Sequence, residues 1–220
     1  MSRSRPVKAL VVAAVTVPLV AVSGYAAGAA GHQPRPTQVV PNLPAPAAAP
    51  NPLIASGVGI GKNVALYKTS GLGPSGLNTA APSGTPARFV DPTQFPDGVL
   101  PPGVTITEAQ ALNVLARITE NLASAGLEPS DVITMRVFLD NAPGADVADY
   151  AGWNRAYRQF FANTDRVTGA AVDVPLGTAP PAPPLVVNPA RPSRFTIEVA
   201  SLPVPGWLVE IEVDAAYPAR

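Results

Sequence analysis

The order of its predicted elements assigns this chain to the α+β class, with two helices covering one face of a mainly antiparallel sheet. Two stretches show the three- and four-residue apolar spacing of amphipathic helices, and four show the composition or alternation of strands. These elements follow one another as strand, helix, strand, helix, strand, strand. One layer of helices leaves the second face of the sheet without a cover within the chain.

A short strand and a long connection come first in the folded region. Residues 63–70 predict a strand that ends at Ser70. Residues 72–104 are rich in Gly, Pro, Ser and Thr, which predicts an irregular insertion. Within that insertion, residues 88–90 predict a short strand.

The first helix is predicted to begin near Thr107. Thr107 and Gln110 have the spacing of a capping box, in which the side chains at the two positions satisfy backbone amides at the helix start. Gly126 suits the left-handed position just beyond the helix end. One apolar stripe marks the buried side of this helix: Leu112, Leu115, Ile118 and Leu122.

The second half of the folded region holds one helix and three strands. Residues 132–139 have a period of two, which predicts a half-buried antiparallel strand. Residues 146–161 predict a second helix, and residues 162–192 form a second insertion rich in proline. Residues 195–200 and 207–214 predict the last two strands. The second helix carries an aromatic stripe that should pack on the sheet as core: Tyr150, Trp153, Tyr157, Phe160 and Phe161.

One face of the predicted sheet is strongly polar. Alternation along the strands places Glu210 and Glu212 on a common face, and Arg136 also belongs to a polar face. Such a face is too polar for the core of a monomer. It suits a subunit interface that contains water, or a binding site.

The N-terminus has the composition of a targeting segment. Residues 2–8 are basic and residues 9–28 are apolar, followed by small residues, which is the order found in a secretory signal. The apolar stretch is also long enough to span a bilayer as a retained anchor. We therefore expect a signal peptide or anchor over residues 1–30, a Pro/Ala linker over 31–50, and an exported folded domain over 51–220.

Composition excludes several classes of site. The chain carries 15 basic and 15 acidic residues, so it lacks the basic excess of a nucleic-acid-binding surface. It has no cysteine, which excludes disulfides and thiolate nucleophiles. Its single histidine, His32, precedes a proline-rich stretch, so a histidine metal site or a Ser-His-Asp triad is not expected.

Four blocks of sequence resemble the Rid family, the RidA/YjgF-like reactive intermediate deaminases. The blocks are AGL to VFLD over residues 125–140, NRAYRQFF over 154–161, PSRFTIEVASLP over 192–203 and VEIE over 209–212. Each block alone is weak, but four in the family's order are a strong signal. The spacing also agrees, except at the long 162–192 insertion.

The resemblance implies a chorismate-mutase-like α+β fold and a homotrimer with a cleft between each pair of subunits. It implies hydrolysis of small 2-imino acids, such as 2-iminopropanoate, to 2-keto acids and ammonia. Neither a metal nor an organic cofactor is implied, and nucleic acid is not an expected partner.

Two charged residues carry the chemistry that the resemblance implies. Arg194 matches the signature arginine, whose planar guanidinium can pair with the substrate carboxylate. Glu210 matches the family's acidic residue, which can accept a proton from the attacking water. Glu212 lies on the same face of the strand, so the pattern alone does not separate the two carboxylates.

Three further residues match polar positions near the family's cleft: Asn154, Ser70 and Thr196. Thr196 stands where many members have cysteine, and the hydrolysis needs no thiol. The chain departs from the family at Ile54, near a position where a tyrosine is common. The 162–192 insertion is a second departure, which can narrow, reshape or close the site.

Three functions fit these observations. The first is an imine and enamine deaminase. The second is a binding module for a small carboxylate without catalysis, and the third is an interaction trimer at the cell surface. The resemblance of fold alone does not decide among them.

Overall fold

The computed structural model describes residues 33–219, which contain six strands and two α-helices. The predicted segment 1–30 lies outside the described residues. The strands are β1 (Val39–Asn42), β2 (Gly57–Ile60), β3 (Leu66–Lys68), β4 (Val132–Leu139), β5 (Ser193–Glu198) and β6 (Val209–Ala216). The helices are α1 (Ile106–Ser124) and α2 (Tyr150–Phe160).

A four-stranded sheet in the order β3-β6-β4-β5 forms the centre of the molecule. The pairs β3–β6 and β6–β4 are antiparallel, and only the pair β4–β5 is parallel. Both helices pack on one face, so the predicted α+β class with a mainly antiparallel sheet is confirmed. Strand β5 lies at one edge of this sheet. Its parallel pairing with β4 requires a long connection, which passes through α2 and the second insertion.

The two faces of the sheet have opposite character. On the face under the helices, called the helix face here, the side chains are buried: Met135, Val137, Leu139, Ile211 and Val213. The opposite face, called the open face, is half-buried or exposed: Arg136, Phe138, Phe195, Ile197, Glu210, Glu212 and Asp214. The predicted range and alternation of β4 are confirmed, and the polar face predicted from sequence is the open face.

The N-cap of the first helix lies two residues before the predicted cap. Thr105 is the N-cap, and its Oγ1 accepts a hydrogen bond of 3.0 Å from the Glu108 amide. The predicted pair fails because Gln110 is buried, where its side chain accepts from the Leu208 amide and donates to two carbonyls. At the other end Gly126 has φ 73°, and the predicted left-handed helix end is confirmed.

The second helix begins at Tyr150, four residues later than predicted. Asp149 is its N-cap and accepts from the Gly152 amide at 2.8 Å, while the Thr105 hydroxyl donates to the same carboxylate. The caps of the two helices are therefore joined. The aromatic stripe forms core at Trp153, Tyr157, Phe160 and Phe161, but Tyr150 is 37% exposed and lies outside it.

Several predicted strand boundaries were wrong. The stretch near residue 88 is a 3₁₀ helix, Pro86–Phe89, because Pro86 opens a tight turn. The last strand begins at Val209 and not at Trp207. Trp207 lies in a turn, with its amide bound to the Val204 carbonyl and its ring against Phe89.

The N-terminal part of the described chain forms a hairpin. Strands β1 and β2 pair antiparallel, with Val39 opposite Ile60. Part of the stretch predicted as a linker is thus paired backbone. No helix within residues 33–219 is both long and apolar enough to cross a bilayer, and the apolar stretch 9–28 lies outside that range.

The 162–192 insertion folds against the helices through polar contacts. Asn163 donates to the carbonyls of Arg158 and Val186, and its own side-chain oxygen accepts from the Asn188 amide. Arg191 donates to the Pro52 carbonyl at 2.9 Å. These contacts satisfy backbone groups that a long connection would otherwise leave buried without partners.

Candidate active site

The side chain of Arg194 points from β5 toward the helix face of the sheet, where it contacts three residues of α2. The guanidinium carbon lies 4.4 Å from the ring centroid of Tyr157 and 5.5 Å from that of Trp153. Its Nη2 donates a hydrogen bond of 2.7 Å to Asn154 Oδ1. The two aromatic rings and the Asn154 amide therefore fix the plane of the Arg194 guanidinium. Cation–π contacts and a directed hydrogen bond both favour this arrangement.

The charge of Arg194 has no acidic partner. Burial lowers the pKa of Arg194 from its ordinary value, and the nearby Arg158 lowers it further, while Tyr157 opposes the change. Within residues 33–219 no carboxylate forms an ion pair with Arg194. Its Nη1 is buried and has no hydrogen-bond partner. A buried cation in this condition is suited to an anion that the chain does not itself supply.

Thr196 provides a second unsatisfied group on the same face. It lies two residues beyond Arg194 on β5, so both side chains point to the helix face. The Thr196 hydroxyl oxygen is buried without a hydrogen-bond partner. Buried polar groups are nearly always paired in folded proteins, so two orphans on one strand mark a place where a ligand can bind.

A cavity of about 300 Å³ adjoins Arg194. Its walls come from the segment 54–56, from the start of β4 at Thr134 and Met135, and from Ser193 to Phe195 on β5. The 162–192 insertion contributes no residue to these walls. The insertion that interrupts the sequence just before the signature arginine therefore does not line this cavity.

Two arginines hold the segment that forms one wall. Arg158 donates to both the side chain and the carbonyl of Asn51, and Arg191 donates to the same side chain and to the Pro52 carbonyl. The Tyr157 hydroxyl donates to the Leu53 carbonyl at 3.0 Å. Burial raises the pKa of Tyr157, so the phenol keeps its proton at neutral pH and remains a donor.

Sequence reasoning missed the roles of these supporting residues. The prediction that Trp153 and Tyr157 belong to the core is confirmed. Their rings also pack against the guanidinium of Arg194, which the sequence pattern did not predict. The sequence patterns predicted no role for Arg158 or Arg191. A signal was available for Arg158, because it follows Tyr157 of the aromatic stripe on α2, and an arginine beside an apolar helix face requires polar partners.

Glu210 lies on the open face, beside the end of the first predicted strand. Any side chain at Gly71 would collide with the Glu210 carboxylate, so Glu210 lies against Gly71, the residue that follows Ser70 in the chain. Within residues 33–219 Glu210 has no ion-pair partner. Glu212, by contrast, accepts from Lys68 at 2.7 Å and lies 3.6 Å from Arg136.

One chain does not bring Arg194 and Glu210 together. Arg194 pairs in register with Met135 on the helix face, whereas Glu210 pairs with Phe138 on the open face. Arg194, Asn154 and Thr196 form one half of the predicted site, and Ser70 and Glu210 form the other half.

The donors around Arg194 suit an anion and not a metal ion. The guanidinium and the hydroxyl of Thr196 can donate hydrogen bonds, and the guanidinium has no lone pair to offer a metal ion. In the described part of the chain, no three His, Cys, Asp or Glu side chains converge in a way that could hold a metal ion.

Comparison with known proteins identifies the family. The model of the family described as endoribonuclease L-PSP matches residues 97–217, more than half of the chain. The chain belongs to this family, the YjgF/Rid family. The match includes β4, β5 and β6 and both helices, and therefore Arg194, Glu210, Asn154 and Thr196. No curated protein matches the chain significantly.

Solved structures of other family members resemble the chain at low identity. TdcF from E. coli, solved with bound serine, is 24% identical over 81% of this chain and 93% of its own, with a TM-score of 0.38. A YjgF/YER057c/UK114 family member from Mycobacterium tuberculosis is 20% identical over 74% and 86%, with a TM-score of 0.38. A putative endoribonuclease from Klebsiella pneumoniae is 19% identical over 70% and 93%, with a TM-score of 0.41.

Proposed function

We propose that this Rid protein hydrolyses small 2-imino acids to 2-keto acids and ammonia. The observation that carries the proposal is the pair of buried donors without hydrogen-bond partners among residues 33–219, Arg194 Nη1 and Thr196 Oγ1. Both lie on one face of β5, and Arg194 also lines a cavity. A small carboxylate supplies the negative charge and the acceptor atoms that these two groups lack.

Arg194 binds the substrate carboxylate in this proposal. Asn154 and the ring of Tyr157 hold the guanidinium in one plane before the substrate arrives, so little rotational freedom is lost on binding. Thr196 donates a further hydrogen bond. The chain thus orients the imine carbon with respect to the attacking water.

Glu210 is the proposed proton acceptor for that water. The water oxygen bonds to the imine carbon, and its proton passes through Glu210 to the imine nitrogen. Loss of ammonia then gives the 2-keto acid, so one water is consumed for each imine. Glu210 suits this role better than Glu212, whose charge is already engaged by Lys68 and Arg136.

The reaction requires assembly, because Arg194 and Glu210 lie on opposite faces of one sheet. We propose a homotrimer in which the Arg194 half of one subunit meets the Glu210 half of the next. Support comes from the open face, where Phe195 is 47% and Ile197 is 43% exposed beside Phe138. Contiguous apolar side chains on an edge strand favour burial against another chain.

A coupled assay tests the proposed reaction directly. 2-Aminoacrylate is generated in situ, and the release of pyruvate and ammonia is compared with the spontaneous rate. The proposal predicts acceleration by the wild type, none by Arg194→Ala, and full acceleration by the control Arg166→Ala, since Arg166 lies outside the Arg194 cavity. A folded wild-type oligomer without acceleration would refute the proposed reaction for this substrate.

A further inference from the structure

The 162–192 insertion forms one wall of a second cavity, whose other walls come from α1, α2 and residues 94–95. Its volume is about 430 Å³, within the range of small-molecule sites. The buried side chains of Phe95, Leu112 and Val174 line it, and Leu176 and Leu185 of the insertion extend its walls. No lining residue is shared with the cavity beside Arg194.

Hydrogen bonds fix the part of the insertion that forms the walls. Val174 and Ala182 pair through two backbone hydrogen bonds of 2.8 and 3.1 Å. Gln159, on α2 and 5% exposed, donates to the Pro175 carbonyl at 3.3 Å and accepts from the Leu185 amide at 3.2 Å. The buried side-chain amide of Gln159 therefore binds two backbone segments of the insertion, one at Pro175 and one at Leu185.

The turn between Val174 and Ala182 is bound to α1. The Gly177 amide donates to Glu108 Oε1 at 3.0 Å, and Glu108 is fully buried with Arg155 at 2.7 Å. Gly177 has φ 56°, a conformation that favours glycine, and a Cβ there would collide with the Val104 amide. The cavity is thus preformed, which lowers the entropy lost when a ligand binds.

The lining specifies the chemistry of a ligand. Among residues 33–219 no charged side chain lines the cavity, and its walls are mainly apolar, so an ionic ligand would lose its hydration without compensation. The side-chain oxygen of Gln94, a lining residue, is buried and has no hydrogen-bond partner. That oxygen is suited to accept a hydrogen bond from a ligand.

We propose that this cavity is a second binding site, which takes a neutral, largely apolar small molecule with one hydrogen-bond donor. It is independent of the proposed deaminase reaction, because the two cavities share no residue. The donor bonds to Gln94, and the apolar body displaces solvent from Phe95 and Leu112.

A matched pair of fluorescent probes tests this chemistry on the full chain. N-phenyl-1-naphthylamine is neutral, has two aromatic parts and carries one N–H donor, and 1-phenoxynaphthalene has the same shape without the donor. The wild type should bind one amine per subunit, about two- to tenfold tighter than the ether. Gln94→Leu should abolish that preference by weakening only the amine. An equal affinity of both probes for the wild type would overturn the assigned role of Gln94.

Variants that fill the cavity distinguish probe binding in this cavity from binding to other apolar surfaces. Ala179 and Ala182 line the cavity at exposed positions, so Ala179→Trp and Ala182→Trp can fill it with little disturbance of the core. Each should abolish probe binding, while Ala170→Trp, exposed on the same insertion but outside the lining, should not. Circular dichroism confirms that each variant is folded. No binding by the wild type, or binding retained by both filled variants, would overturn the proposal.

Discussion

Arg194 combines burial and a positive charge, and no acidic residue within the described range 33–219 forms an ion pair with it. Burial lowers its pKa in the folded chain, which means that folding disfavours its charged form. At neutral pH the side chain is nevertheless charged, so it contributes this cost to the folded state. A residue kept solely for stability would not combine these properties, whereas a residue kept for binding an anion would.

We therefore expect Arg194→Met to separate stability from activity. Methionine retains the contact with the rings of Trp153 and Tyr157 and removes the unpaired charge, so the free energy of unfolding should be unchanged or higher while deamination is lost. Chemical denaturation and the coupled assay measure the two effects. A loss of stability above about 2 kcal/mol, a large effect for a single substitution, would indicate a structural role.

Arg194→Lys tests the geometry of the fork. Lysine keeps the charge but cannot pair bidentately or lie flat on Tyr157, so kcat/KM should fall roughly ten- to hundredfold, the worth of one charge-assisted hydrogen bond. Steady-state kinetics measures the change. Activity equal to the wild type would show that charge alone suffices.

The two carboxylates on β6 should behave differently. Glu210→Gln removes the proposed proton acceptor, so kcat should fall by about a hundredfold or more with the fold retained. Glu212→Gln removes a partner of Lys68 and Arg136 and should leave kcat within a few-fold. The opposite result, with Glu212→Gln inactive and Glu210→Gln active, would reassign the acceptor.

Sequence patterns predicted Arg194 but not its surroundings. The signature motif and the spacing along β5 identify the arginine and Thr196. The contacts with Trp153 and Tyr157 depend on how α2 crosses β5, which no spacing within either element specifies. The same reasoning applies to Arg158 and Arg191, whose partners lie more than a hundred residues away in sequence.

At the scale of elements, α1 connects the sheet to the second insertion. Its first turn carries Glu108, which accepts from Arg155 of α2 and from Gly177 of the insertion. The hydrogen bond with Glu108 raises the pKa of Arg155. One buried carboxylate therefore fixes three segments together.

Glu108→Gln should destabilise this junction. Removing the charge leaves the guanidinium of Arg155 without its partner, and breaking one side of a buried pair costs about 3 kcal/mol or more. Denaturant unfolding should show that loss, and hydrogen exchange at the Gly177 amide should accelerate. Glu120→Gln, at an exposed position of the same helix, is the control and should change neither. An unchanged rate of hydrogen exchange at the Gly177 amide in Glu108→Gln would show that Glu108 does not hold the insertion in place.

Element boundaries were harder to predict than elements. The helix caps were misassigned because Thr105 and Thr107 are both suitable residues, and only the burial of Gln110 excludes the second. Strand β4 was predicted correctly because one face is buried over its whole length. The predicted start of the last strand is wrong by two residues. Tryptophan is common in strands, but Trp207 lies in a turn here.

At the scale of the whole molecule, one face of the sheet has no cover within residues 33–219, and this face has both apolar and charged parts. Phe138, Phe195 and Ile197 lie near the β5 edge, and Lys68, Arg136 and Glu212 lie toward β3. We expect Phe195→Glu to convert the proposed trimer to monomers and abolish activity, because the charge cannot be buried in an interface. Light scattering with size-exclusion chromatography measures this. Val187→Glu, a 58% exposed site on the insertion, should leave the trimer intact.

A site shared between subunits is the central claim, and mixing two inactive variants tests it most directly. Arg194→Met and Glu210→Gln subunits are unfolded together, refolded, and shown to mix by native mass spectrometry. Some clefts then receive Arg194 from one subunit and Glu210 from its neighbour, so activity should rise well above that of either variant alone. Mixed oligomers that stay as inactive as the single variants would contradict a site composed of two subunits.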